Sequence, residues 1–396
     1  MKKIVCFLIV IMLLFFVSCE KKEKQQIEKT IELYASSMMH ASVELSSRVL
    51  LVQNGGIYYY SKADGNSYRF CFNPLCQHKF AEKCPSALFW HTHSLTSQLV
   101  YCEENNRVYI ARGQKIYSMS FDASDLRLEC SLGENGDISE QFYDISYIRN
   151  LRCYKKYVYF IYNNDTTGNL QVVRLDTVSK KTEEMTSAET EHIMAYEIAN
   201  GYIYFKSVSI DNAIGYYISD FDFKNRKKVD DPINPTSFGM TMEVYDGKYF
   251  YGKNDKGLYA FDPISSEKIF ISSDKRIVPD GMITAVHEGY AFFMPYNPDG
   301  DRAIYSSVYR VSKNGIIDEV LDFPECYILS LNFVSDGVII NFFSIDFKVD
   351  ENEKQIQKSN GFIHFEIADD GKFVNPRPIG NYAEDEELIE YLKGKS

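Results

Sequence analysis

Asn200-Gly201-Tyr202-Ile203-Tyr204 is one copy of a short motif that occurs seven times in this chain: turn-forming residues, then two or three apolar or aromatic ones. The other copies are Asn54-Gly55-Gly56-Ile57-Tyr58, Asn105-Asn106-Arg107-Val108-Tyr109, Lys155-Lys156-Tyr157-Val158-Tyr159, Asp246-Gly247-Lys248-Tyr249-Phe250, Glu288-Gly289-Tyr290-Ala291-Phe292 and Asp336-Gly337-Val338-Ile339-Ile340. Their aligned apolar positions are 51, 50, 45, 46, 42 and 48 residues apart. A period in the forties built from strands and turns is typical of a β-propeller.

Each repeat also predicts four antiparallel strands. An apolar strand, such as residues 193–198, precedes the turn, and an aromatic strand, such as 202–205, follows it. A third strand ends near an aspartate such as Asp176, and a polar fourth strand, such as 180–185, comes last. One small sheet cannot bury both faces alone, whereas sheets stacked in a closed ring bury each other's faces. The sequence therefore predicts an all-β fold, a seven-bladed β-propeller of four-stranded blades over residues 46–380.

The N-terminus has the pattern of an export signal. Lys2-Lys3 precede a 14-residue apolar run over residues 4–17, which is short for a membrane span. The run ends in Phe16-Val17-Ser18-Cys19, which resembles a bacterial lipobox, although Phe16 stands where Leu is usual. The resemblance implies removal of residues 1–18, acylation of Cys19, and membrane anchoring of an extracytoplasmic lipoprotein. A conventional signal peptide and an uncleaved anchor are the alternatives.

Three further segments lie outside the repeats. Residues 19–45, which follow the signal, form a polar spacer that suits a solvated tether. A charged insertion at residues 350–359 is expected as an exposed loop in the second hairpin of the seventh unit. Residues 381–396 predict a short C-terminal helix with acidic residues in its first turn, where the helix dipole favours them.

The charge of the chain excludes one class of partner. The formal net charge is −12, and removal of Lys2 and Lys3 with the signal leaves 41 basic against 55 acidic residues, a net charge of −14. An acidic surface repels nucleic acid, so we expect no DNA or RNA partner.

The repeat motif, followed by a strand that ends near Asp, resembles TolB-like and low-density-lipoprotein-receptor-type propellers. Those families usually have six blades and tighter motifs than this chain. The resemblance covers residues 46–380 and implies architecture only. It carries over no catalytic residue.

A cysteine-rich segment interrupts the first unit as C-x4-C-x-H-x5-C-P, formed by Cys71, Cys76, His78 and Cys84. It resembles a segment of uncharacterised propeller lipoproteins from gut anaerobes, for which no activity is established. Three thiolates and one imidazole suit a tetrahedral metal such as structural zinc. In an exported protein they also suit a disulfide, with Cys102 as one candidate partner, and free thiols are a third reading. A metal site or a disulfide would each hold the loop of this segment in place.

The remaining cysteines and the single tryptophan are less informative. Cys130, Cys153 and Cys326 are dispersed, and we expect them in the core together with Cys102. Trp90 is followed by His91-Thr92-His93 and is a candidate ligand contact, although a loop packed over the blade rim explains the same residues.

These patterns favour a non-enzymatic envelope lipoprotein that binds or scaffolds a protein, peptide or glycan. The chain has no G-x-S-x-G, no H-E-x-x-H and no glycine-rich phosphate loop. The alternative is an extracytoplasmic glycan hydrolase or lyase with its site over the central channel. A purely structural member of an envelope complex is a third class.

Overall fold

The computed structural model confirms the predicted fold. It describes residues 42–53, 56–71, 75–76, 99–132, 148–164, 169–187, 190–199, 201–209, 211–229, 244–254, 256–262, 264–278, 281–296, 305–323, 326–349 and 355–379. These residues form seven separate four-stranded antiparallel sheets, which we number as blades 1 to 7 in chain order.

Every blade takes its four strands from one continuous stretch of chain. The first strands are β1 (Ser42–Glu44), β5 (Leu99–Cys102), β9 (Ile148–Tyr154), β13 (Glu191–Ala199), β17 (Val244–Tyr245), β21 (Met282–His287) and β25 (Cys326–Val334). The second strands are β2 (Arg48–Gln53), β6 (Arg107–Arg112), β10 (Tyr157–Asn164), β14 (Tyr202–Ser209), β18 (Phe250–Asn254), β22 (Tyr290–Met294) and β26 (Gly337–Val349).

The outer half of each blade completes the sheet. The third strands are β3 (Gly56–Ser61), β7 (Lys115–Ser120), β11 (Asn169–Asp176), β15 (Ile214–Ser219), β19 (Gly257–Phe261), β23 (Ser307–Ser312) and β27 (Gln355–Ile367). The fourth strands are β4 (Ser67–Arg69), β8 (Arg127–Ser131), β12 (Thr182–Glu184), β16 (Lys227–Val229), β20 (Lys268–Ser272), β24 (Ile317–Asp322) and β28 (Phe373–Ile379). A single 3-10 turn, Glu103–Asn105, is the only helical element among the described residues.

The blades form a closed ring with the first strands innermost. First strands of neighbouring blades contact each other, as β1 contacts β5 and β21 contacts β25. One apolar cluster fills each of the seven interfaces between blades. The interface between blade 7 and blade 1, which we call the seam, packs side chains of β2 and β3 against Val334, Ile339, Phe362 and Ile379. Since no strand in the described part of the chain is exchanged between blades, contacts made by side chains hold the seam.

The antiparallel order gives the ring two different faces. The turn face carries the connections between first and second strands and between third and fourth strands. The loop face carries the connections between second and third strands and those between consecutive blades. First strands run from the loop face to the turn face, so the described chain starts and ends at the loop face.

Local backbone demands explain the repeated motif. Gly201 and Gly289 have φ of +79° and +81°, and glycine adopts this left-handed conformation without a steric penalty. At the other turn of the blade, a carboxylate oxygen of Asp176 accepts hydrogen bonds from the backbone N–H groups of Val178 and Ser179, at 2.9 and 3.0 Å. Such side-chain bonds favour turns. They account for the aspartates that end the third strands.

Blade 1 departs from the predicted register. Its first strand, Ser42–Glu44, lies within the predicted spacer. The motif copy at Asn54-Gly55 therefore falls between the second and third strands of blade 1, at the loop face. In blades 2 to 7 the motif lies between the first and second strands.

Blade 7 carries a long hairpin. Strands β26 and β27 have 13 residues each, whereas the second strands of the other blades have five to eight. Ser344 pairs with the first residue of β25, and Phe362 pairs with the last residue of β28. Residues 345–349 therefore extend past β25, and residues 355–361 extend past β28. We call these two segments the blade 7 arm. The predicted insertion lies at this hairpin, as expected, but its second half is strand.

Candidate functional site

The departures from the repeat gather on the loop face around blades 7, 1 and 2. The blade 7 arm projects there, because it is the second-to-third connection of its blade. Strand β1 starts at that face with Ser42, so the predicted lipid tether joins the ring beside the axis. The cysteine segment follows β4, which also ends at the loop face, and leads to blade 2.

The structure describes only part of the predicted site residues. Cys71 and Cys76 are half-buried, and Cys71 N–H donates a 3.0 Å hydrogen bond to the carbonyl of Arg69 at the end of β4. His78, Cys84 and Trp90 lie outside the described residues, as does Cys19. Within the described ranges, no group of three or more His, Cys, Asp or Glu side chains is arranged to hold a metal. The metal quartet, the Trp90 contact and the lipid site stay predictions.

A disulfide that the sequence analysis missed joins two neighbouring blades. Cys102 at the end of β5 is bonded to Cys153 on β9, with their Cα atoms 5.6 Å apart. We expected both in the core as separate residues. The bond also removes Cys102 as a partner for the cysteine segment. The missed signal was positional, since both residues precede the turns of consecutive repeats and such positions meet in a ring of blades.

A buried carboxylate joins the two sides of the seam on the turn face. The side chain of Glu44 is 5% exposed, and its Oε1 accepts from Lys62 Nζ at 2.5 Å. The same oxygen accepts from the backbone N–H of Ser335, at 2.9 Å, in the first turn of blade 7. Lys62 Nζ also donates to Ser335 Oγ at 3.0 Å. Three residues from two blades therefore bond to one another where the ring closes.

A second polar group lies beside it. Tyr60 Oη donates a 3.2 Å hydrogen bond to Asp336 Oδ2, and the Tyr60 ring stacks on the imidazole of His364 with 4.8 Å between centroids. His364 Nε2 lies 3.5 Å from Asp336 Oδ1. Burial, followed by the charge of Asp336, raises the pKa of Tyr60 to about 12. Chiefly through the nearby imidazole of His364, the pKa of Asp336 falls below its usual value.

The Tyr60, Asp336 and His364 trio combines groups that serve as acids and bases in other proteins. Here Tyr60 and His364 are buried between two sheets, at 2% and 1% exposure. The Asp336 side chain is 37% exposed at the turn face. Their arrangement acts on the seam, where polar groups from both blades fix the register of closure.

The innermost strands of blades 3 and 4 share a comparable polar junction. The Arg152 guanidinium donates to both carboxylate oxygens of Glu197, at 2.9 and 2.7 Å. Asn150 Nδ2 donates to the carbonyl of Tyr196, and Tyr196 Oη donates back to the carbonyl of Asn150, both at 2.7 Å. Such fork-shaped and reciprocal bonds are geometrically specific. They align two neighbouring blades next to the ring axis.

No protein-family model matches the chain, and no curated protein matches it. Solved structures are similar to it. A puromycin hydrolase aligns over 88% of this chain, with a TM-score of 0.54 and 8% identity. The acylaminoacyl peptidase of Pyrococcus horikoshii aligns over 92% of this chain, with a TM-score of 0.50 and 9% identity. The chain covers 54% of each, about half their length. These similarities show the fold alone, and the fold defines the chain as a seven-bladed β-propeller protein. No helix among the described residues is long and apolar enough to cross a membrane.

Proposed function

We propose that this protein is an exported, lipid-anchored envelope protein whose propeller binds a protein, peptide or glycan partner through its loop face, without chemistry of its own. One observation carries the proposal. The blade 7 arm, the cysteine segment that follows β4 and the start of the described chain all belong to the loop face of blades 7, 1 and 2. The repeat accounts for the ring, and these departures from it are free to serve recognition.

In a propeller the blades provide a rigid scaffold and the loops provide binding residues. Stacked blades are rigid, because each sheet is covered by its neighbours. Loops on a rigid scaffold vary without disturbing the core, and binding residues concentrate on them. The arm adds a projection of about 17 Å, from five residues at roughly 3.3 Å each. It turns a flat face into a shaped one, which suits a macromolecular partner.

Export is supported by the disulfide and by the N-terminal pattern. Disulfides persist in oxidising compartments and are rare in the cytosol. The Cys102–Cys153 bond is therefore consistent with the lipobox-like sequence that ends at Cys19. Residues 20–41 would reach at most about 75 Å when fully extended. Because this tether joins β1 at the loop face, the proposed partner is a component close to the membrane.

The cysteine segment would stiffen the same face. Thiolates of Cys71, Cys76 and Cys84 with the imidazole of His78 form a donor set that suits structural zinc. Cys71 and Cys76 are half-buried, and Cys71 bonds to the last residue of β4, which is where a staple would fasten the connection to blade 2. Such a metal would order the loop and take no part in a reaction.

Photo-crosslinking in living cells tests the proposed binding face. A benzophenone amino acid would replace Leu75, which is 89% exposed on the loop face, and Gln357 in the blade 7 arm. Matched controls on the turn face are Val178 and Ile264, exposed by 75% and 58%. We expect a discrete crosslinked product from the loop-face positions and none from the controls. Products only from the turn face, or from all four positions alike, would contradict the proposal.

A shortened variant separates binding from folding. Replacing residues 345–358 by a two-residue Asn-Gly turn connects Ser344 to its native partner Ser359, and so keeps the pairing of β26 and β27 within the blade. We expect the thermal unfolding temperature to stay near that of the parent protein while the Leu75 crosslink is lost. Retention of the crosslink would show that the arm plays no part in binding.

A further inference from the structure

Two polar side chains lie side by side in the otherwise apolar centre of the seam. Asn341 on β26 and His364 on β27 are each 1% exposed. In the register of the hairpin, Ile339 pairs with His364 and Asn341 pairs with Phe362. Ile339 and Phe362 belong to the apolar cluster that packs against blade 1, so Asn341 and His364 face the same way.

Both side chains bury polar atoms that no described residue satisfies. Asn341 Nδ2 has no hydrogen-bond partner among the described residues, and neither has Nδ1 or Nε2 of His364. Of the two imidazole nitrogens, Nε2 lies 3.5 Å from Asp336 Oδ1, within reach of its charge. An unsatisfied buried polar atom costs free energy, and most such atoms in native proteins bond to protein or to ordered water. The amide nitrogen of Asn341 and Nδ1 of His364, which have no charged group recorded beside them, therefore need an explanation.

Their spacing indicates what connects them. Residues diagonal to each other on neighbouring strands have Cα atoms about 7–8 Å apart. At this spacing the Asn341 amide and the His364 imidazole lie near each other, yet Asn341 Nδ2 and His364 Nδ1 do not bond to each other. A buried water needs two or more polar partners, and here an amide donor and an imidazole nitrogen lie on one face. Ser330, opposite Asn341 on β25 and also buried, adds a hydroxyl to the same place.

We propose that the seam encloses an ordered water molecule that bridges Asn341 and His364. The water oxygen accepts a hydrogen bond from Asn341 Nδ2, and the water donates one to His364 Nδ1. This assigns the imidazole proton to Nε2, which then points at Asp336. A chain of hydrogen bonds would run from Asn341 through water, His364 and Asp336 to Tyr60 of blade 1, so the water would be part of the closure of the ring.

A crystal structure that resolves ordered solvent tests the proposal directly. We expect a water within about 2.7–3.2 Å of both Asn341 Nδ2 and His364 Nδ1. Absence of density at that position, or a direct contact between the two side chains, would overturn the assignment.

Thermal unfolding of variants gives a second test. If water satisfies Asn341, Asn341→Leu removes a hydrogen-bond donor and lowers the unfolding temperature by about 2–4 °C. If the site is dry, the same change removes an unpaired donor and raises it. Ile339→Leu, on the same face of the same strand, controls for the shape of leucine in the seam. A rise for Asn341→Leu relative to this control would overturn the proposal.

Discussion

Cys102 and Cys153 link the innermost strands of blades 2 and 3 through a disulfide, with Cα atoms 5.6 Å apart. The two residues are 51 positions apart in sequence, which is about one repeat. The bond therefore ties one blade to the next beside the axis of the ring. Among the described residues it is the only disulfide between blades, and the side chains at the other interfaces meet through packing and polar contacts.

The disulfide should contribute a large share of the protein's stability. In the chain-entropy model, a bond that closes a 51-residue loop stabilises the folded state by about 4 kcal/mol. We expect a Cys102→Ala and Cys153→Ala double variant to lose about this much free energy of unfolding, measured by urea denaturation. Cys130→Ala, at a half-buried cysteine outside the bond, is the control and should cost clearly less. A double variant as stable as the control would contradict the assigned bond.

The features that the sequence predicts are those set by residues close together in the chain, and contacts between distant residues were missed. The propeller was predictable because the turn between the first two strands needs a residue that tolerates positive φ, as Gly201 does, and such a residue recurs at this turn in blades 2 to 7. The disulfide could have been predicted from the fold, since Cys102 and Cys153 occupy matching places in consecutive repeats. The seam could not, because Tyr60 and Asp336 are 276 positions apart and no local pattern relates them. The first strand of blade 1 was missed because Ser42–Glu44 is too short to show a period.

Zinc analysis of protein purified without added metal or reductant tests the cysteine segment. We expect one equivalent of zinc, lost in Cys76→Ser and in His78→Ala but kept in Cys130→Ser. Seven cysteines follow Cys19, so the Cys102–Cys153 bond leaves five thiols that titrate after chelation. Three thiols and no zinc would show a second disulfide instead. Five thiols and no zinc would show that the segment holds neither.

Removing the positive charge of the Lys62–Glu44 pair should destabilise the protein more than removing the negative charge. Lys62→Met leaves the Glu44 carboxylate buried beside Ser335, and stranding a buried charge typically costs about 3 kcal/mol or more. Glu44→Gln keeps an acceptor for the Ser335 N–H and should cost less. The control is Lys313→Met, whose partner Asp246 lies 3.8 Å away in a more exposed pair. Such pairs contribute about 1 kcal/mol at most. Equal losses for Lys62→Met and Lys313→Met would contradict the role of Glu44.

Stability should fall on acidification in two stages. Burial holds the pKa of His287, stacked on Phe333 across blades 6 and 7, below its ordinary value of 6.5. The unfolded chain therefore binds a proton more readily, so His287 contributes stability above about pH 6.5 that is lost as the pH falls through its lower folded pKa. We expect His287→Phe, which keeps a stacked ring, to show a smaller drop in unfolding temperature between about pH 7.5 and 5. Glu288→Gln removes a carboxylate 4.0 Å from His287 Nε2 that raises the pKa of His287, so this variant should show a larger drop rather than a smaller one.

The second stage belongs to carboxylates. Its hydrogen bond with Lys156 lowers the pKa of Asp176 to about 2, and Arg276 does the same for Asp274. Both groups contribute stability above about pH 3.8 that disappears as the pH falls toward 2. We expect Asp176→Asn to show a smaller drop in unfolding temperature than the parent between about pH 4 and pH 2, roughly the range over which carboxylates titrate. An unchanged slope would contradict the stabilising ion pair.

Location in the cell tests whether this propeller works outside the cytoplasm on a lipid tether. The measurement is membrane fractionation of cells that express the parent protein or Cys19→Ser, with the thiols of intact cells blocked before lysis. We predict that the parent protein is in the membrane fraction, accessible to added protease and with Cys102 and Cys153 oxidised, and that Cys19→Ser is exported but no longer sediments with membranes. A Cys19→Ser protein that stays membrane-bound, or a parent protein found in the cytoplasm with both cysteines reduced, would contradict the account.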